Sequence, residues 1–183
     1  WNFDDIREAC RERDKGVIHM ENFEDYGFPR QLSKERLAID YWLSYVGPGE
    51  VMADSLAINH RRGIRTFAKI QACSSHEIST VPYVPVPGIL FDKYKFMYEN
   101  GITGVVHCWY FGNYPSVMSK AAGELAFAPF YETKEEFLQK IILAPTDDKG
   151  FLATVEALAN PENISAIAGA TKIGDVDVTR LNE

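Results

Sequence analysis

The chain has 183 residues, 46% of them hydrophobic and 25% charged, which is the balance of one folded domain, at most with an extension. Its 26 acidic residues against 19 basic ones give a net charge of -7. That disfavours an electrostatic nucleic-acid binder, and no run approaches the ~18 apolar residues of a membrane span. Cys10, Cys73 and Cys108 are an odd number at wide spacing, and the start, Trp1-Asn2-Phe3-Asp4-Asp5, is not a signal peptide. Together these predict a reducing, cytoplasmic location.

Residues 3–14 read as a helix, with Phe3, Ile6 and Cys10 on one face, Asn2 as the cap, and Asp4 and Asp5 in the first turn. Gly16 ends it, and an apolar strand at about 17–21 follows. Residues 33–46 show the same helical pattern. Ser33 is placed to cap it, Leu37, Tyr41, Trp42 and Tyr45 make a core stripe, and Gly47 stops it. A helix from Ala53 to Arg62, with Asp54 as its N-cap and Arg61-Arg62 complementing its dipole, stops at Gly63. A strand at about 65–71 follows. The next helix, Ile89 to Asn100, stops at Gly101 and feeds a strand at about 104–110.

Pro115 opens a helix running to Leu125, and Thr133-Lys134-Glu135-Glu136 is a capping box for a helix over 134–143. Beyond Pro145 the pattern weakens. The division expected is a βα-repeat domain over 1–131 and a helical extension and tail over 132–183.

Helices that end in glycine and feed apolar strands predict an α/β fold with parallel strands. Three strands make only part of a (β/α)8 barrel, which takes about 250 residues, so the expected architecture is partial and TIM-barrel-like. The sheet edges left over predict a homo-oligomer. No glycine-rich phosphate loop follows any strand, which removes the usual nucleotide signature, and no cofactor is expected.

In parallel α/β folds ligands sit at the C-terminal strand ends. The first end carries Glu21, Glu24 and Asp25, and paired carboxylates can divide into a protonated acid and an ionised base. The second carries His76 and Glu77 before the proline-stiffened run 82–87. Lys69 inside the second strand calls for a carboxylate partner. The third carries Trp109, Tyr110, Asn113 and Tyr114, aromatic and polar groups suited to the face of a sugar. Catalysis is therefore placed on Glu77, Glu21 and Glu24, and substrate contact on Trp109, His76, Lys69, Tyr110, Asn113 and Tyr114.

The segments GVIHMENFEDYGFP, RTFAKIQACSSHEISTVPYVPVP and GVVHCWYFGNYPSVMSKAAGELAF resemble the C-terminal strands of a bacterial (β/α)8 glycoside-hydrolase-type catalytic domain, over about Gly16 to Phe130. The resemblance implies a carbohydrate substrate, a sugar floor at Trp109, and an acid and a nucleophile among Glu21, Glu24 and Glu77. Two other readings stand beside it. One is a non-catalytic sugar- or partner-binding fragment of a barrel. The other is a zinc-dependent transferase or hydrolase using His19, Cys73, His76, His107 and Cys108, against which adjacent His107 and Cys108 point to opposite faces of a strand.

Overall fold

The structure, a computed structural model, describes residues 3–31, 34–38, 42–73, 75, 77, 84–107 and 116–142, and the backbone of 172–173 and 176–177. In chain order the elements are α1 (Phe3–Glu12), β1 (His19–Asn22), β2 (Arg30–Gln31), β3 (Lys34–Glu35), α2 (Glu50–Arg62), β4 (Thr66–Ile70), α3 (Pro87–Glu99), β5 (Gly104–His107), α4 (Val117–Leu125), α5 (Lys134–Ile142), β6 (Lys172–Ile173) and β7 (Val176–Asp177). β1, β4 and β5 form one parallel sheet in that order, as the glycine-stopped helices predict. Gly63 at φ 70° and Gly101 at φ 65° take the left-handed conformation that ends α2 and α3 without a Cβ clash.

The register separates the two faces of this sheet. His19 lies beside Thr66, and Ile70 beside His107. Side chains alternate along a strand, so His19, Glu21, Thr66, Ala68, Ile70, Val105 and His107 share one face. Asn59 of α2 bonds His19 and Thr66 there, and Tyr94 of α3 bonds His107. Both helices therefore cover this face, and Ala68 and Ile70 are buried beneath them. The other face carries Met20, Asn22, Phe67, Lys69, Gly104 and Val106. There Phe67 lays its ring across Gly104, where a Cβ would meet the ring at 2.4 Å.

The core on the helical side is one cluster. Phe91 of α3 packs against Phe130 and Phe137, ring centroids 5.3 and 5.6 Å away, which ties α5 to α3. Each such side chain contributes about 1.5–3 kcal/mol on burial. Ser116 caps α4 with a capping box completed by Ser119, and the Thr133 hydroxyl accepts from the Glu136 N–H at 3.1 Å. Pro115 lies outside the described residues.

Three expectations are corrected. The described parts of the segment 33–46, residues 34–38 and 42–46, are not helical. β2 and β3 form a short antiparallel hairpin, and Ala38 bridges to Gly27. Two of the later backbone groups bond distant residues: the Leu43 N–H donates to Ser75 Oγ at 3.2 Å and the Ser44 N–H to Glu77 Oε2 at 3.0 Å. Trp42 and Tyr45 are half-buried loop residues, Leu37 is exposed, and Ser33 and Tyr41 lie outside the described residues. Asp54 is not an N-cap. α2 starts four residues earlier behind Gly49, and the Asp54 carboxylate takes Arg7 Nε at 2.8 Å and Nη2 at 2.6 Å, joining α1 to α2. Arg62 does more than complement a dipole, since its guanidinium donates to the Cys10 carbonyl at 2.6 Å and to the Arg13 carbonyl.

Candidate functional site

The C-terminal end of the sheet gathers the polar groups. Just past β1, Glu24 is 1% exposed and Lys93 of α3 is fully buried. Lys93 Nζ donates to Glu24 Oε1, which also accepts the Gln71 N–H at 2.9 Å. Glu24 is therefore held by the helix layer and by the first residue after β4. Its other oxygen, Oε2, is buried with no hydrogen-bond partner among the described residues. An unmet carboxylate oxygen inside a protein is costly, and such groups mark places where a ligand or water completes the bonding.

Glu21 is placed differently. It shares the helix-side face with His19, whose Nε2 lies 3.2 Å from Glu21 Oε2, while Glu21 Oε1 accepts the Asn22 N–H at 3.1 Å. His19 in turn meets Asn59 Nδ2 at 2.7 Å. Lys69 sits on the opposite face in register with Asn22 and Val106, half-buried. Glu21 and Lys69 thus point to different sides of the sheet.

Glu77 occupies a short turn after β4. Its Oε1 accepts the Ser44 hydroxyl, and its Oε2 accepts the Ser44 N–H at 3.0 Å and the Ser75 hydroxyl at 2.8 Å. These bonds clamp the 42–45 loop to the end of β4. His76, Trp109, Tyr110, Asn113 and Tyr114 lie outside the described residues.

A second polar group closes the end of β5. Tyr94 hydroxyl and His107 Nε2 are 2.7 Å apart. Burial lowers the His107 pKa, which favours the neutral ring. Burial first, and the neighbouring Cys73 second, push the Tyr94 phenol far above its usual range, so the phenol keeps its proton and donates. Burial raises the Cys73 thiol, partly offset by its hydrogen bond with Ser116, so this cysteine lacks the low pKa of a nucleophile. Among the described residues no three His, Cys, Asp or Glu side chains gather as a metal ion would need. Of the five residues in the zinc reading, His76 and Cys108 lie outside the described residues.

Lys93 and Tyr94 are the site residues that sequence reasoning missed. The signal was there for Lys93, which stands four residues after Ile89 and four before Met97, both buried on the same stripe of α3. A lysine at the centre of an apolar stripe needs a buried partner. The larger described concavity, 620 Å3, lies at the α4–α5 connection, away from the strand ends.

Comparison with family models, with curated proteins and with solved structures finds no match. Among the described residues no helix is long and apolar enough to cross a membrane.

Proposed function

We propose that this chain is a carbohydrate-active hydrolase domain, or part of one, on a sector of a TIM-barrel-like sheet. The single observation that carries the reading is Glu24, a buried carboxylate at a C-terminal strand end with one oxygen anchored by Lys93 and the other without a partner among the described residues. The barrel part rests on the sheet, which among the described residues has helices on one face only. All-parallel sheets have both faces covered, and in a barrel the face away from the helices is the interior. Met20, Asn22, Phe67, Lys69 and Val106 would then line it, with Lys69 and Asn22 nearest the strand ends.

Glycoside cleavage needs one carboxyl group to protonate the leaving oxygen and another to act as base or nucleophile. We assign Glu24 Oε2 to the group that meets the sugar, with Glu77 at the neighbouring strand end as its partner. Glu21 remains a candidate on the helix side, beside His19. Lys69 binds sugar hydroxyls from the open face, and His76, Trp109, Tyr110, Asn113 and Tyr114 complete the subsite.

The test is hydrolysis of a panel of chromogenic glycosides by the unaltered chain and by Glu24→Gln and Glu77→Gln. Loss of orders of magnitude in kcat/KM with an unchanged fold supports the assignment. Activity that survives both changes overturns it. A second reading, a non-catalytic sugar-binding unit, is favoured by the three hydrogen bonds that commit Glu77 to Ser44 and Ser75. It predicts sugar binding by calorimetry with no turnover.

A further inference from the structure

We propose that copies of this chain associate head to tail, β1 of one copy lying against β5 of the next and continuing the parallel sheet. Among the described residues β1 and β5 are the two outer strands, each paired on one side only, and each has four residues. The Thr103 N–H bonds the Thr66 carbonyl. By the alternation of a parallel ladder, Val105 and His107 also face β4, and the N–H groups of Gly104 and Val106 point to the outer edge. On the other side the His19 and Phe23 N–H groups bond β4, so Met20 offers its backbone outward. The two edges of one parallel sheet are complementary halves of the same ladder, which a second copy supplies in the right direction.

The side chains agree with this pairing. Around β1, Val17, Ile18 and Met20 are 45%, 40% and 49% exposed. Along β5 runs a 530 Å3 cleft walled by Met97, Val105 and Leu125, with Phe127, 75% exposed, at its rim. Charge agrees as well. Lys15 and Arg65 are exposed beside the start of β1, and Asp14 is turned back onto the Gly16 N–H at 2.7 Å. Glu132 and Glu136 line the concavity next to the cleft, which shares Phe127 and Ala128 with it; a third carboxylate there, Glu124, is paired with Lys140 at 2.9 Å. A heterologous contact of this kind brings the basic end of one copy to the acidic end of the next.

The inference does not depend on the hydrolase reading. It is tested on the full chain by light scattering over a concentration series, with Val106→Lys and Phe127→Asp as edge variants. Both positions are exposed, so circular dichroism should stay unchanged while the oligomer dissociates. A second measurement fixes the contact. Met20→Cys and Val106→Cys are purified separately, mixed, and treated with a short bismaleimide, with the unaltered chain as control. Cross-linking in the mixture but not within either pool supports the head-to-tail contact. Three results overturn it: a monomer throughout the concentration series, an oligomer indifferent to both edge variants, or cross-linking within the Met20→Cys pool alone, which would mean a symmetric contact.

Discussion

Replacing Lys93 by Met tests whether the Glu24–Lys93 pair is the electrostatic centre of the fold. The methionine fills similar volume but leaves the Glu24 carboxylate buried with, among the described residues, only the Gln71 N–H as a partner. Removing one member of a buried ion pair costs about 3–5 kcal/mol. At about 2–4 °C per kcal/mol for a chain of this size, the Tm should fall by roughly 6–20 °C. The double variant Glu24→Leu with Lys93→Met removes both charges and recovers most of that loss, because an apolar pair of similar volume is often close to neutral. It should keep a deficit of about 1–3 kcal/mol for the Gln71 N–H left without an acceptor. Urea unfolding followed by circular dichroism gives all three values and the coupling between the sites. A loss below about 1 kcal/mol for Lys93→Met, or additive single effects, would refute the reasoning.

Gly49→Ala should be far more damaging than Gly104→Ala. The new Cβ at 49 would sit 1.8 Å from the Asp25 carbonyl oxygen, which is backbone, whereas at 104 it meets the Phe67 ring, which can turn. Urea unfolding should place Gly104→Ala at about 1–3 kcal/mol and Gly49→Ala above it. Ser116→Ala removes the α4 capping box and should cost about 1 kcal/mol by the same assay. Because burial depresses the His107 pKa below its ordinary 6.5, the unfolded chain binds more protons than the folded one just below that value. Stability contributed by His107 is therefore intact above pH 6.5 and lost as pH falls toward the folded pKa. His107→Phe should flatten that part of the stability profile, and an unchanged slope would remove His107 as its source.

What was legible in the sequence was local. Gly63 and Gly101 stop their helices in the left-handed conformation, and the apolar runs after them become parallel strands, because these signals act within a few residues. The 33–46 segment misled because the spacing of Leu37, Tyr41 and Tyr45 imitates a helix stripe. Its backbone partners, Ser75 and Glu77, lie more than thirty residues away, where no local pattern reaches. Asp54 misled for the same reason, since a helix-start aspartate and a partner for Arg7 look alike in one dimension. At the site, the strand-end rule located Glu21, Glu24 and Glu77 without ranking them. The ranking follows from occupancy: Glu77 is spent on Ser44 and Ser75, Glu21 is turned toward His19, and Glu24 has a buried oxygen with no partner among the described residues.

The two-faced sheet also sets how this sequence can drift. Positions 66, 68 and 70 of β4 sit under helices, and the core answers any change in their volume. Positions 67 and 69 look away from those helices and answer to whatever the open face meets. Mutational tolerance along each strand should therefore beat with a period of two, helix packing constraining one beat and the surroundings of the other face the second. Substitutions that swap the beat, such as an apolar residue at 69 or a charged one at 68, would tax the two constraints separately.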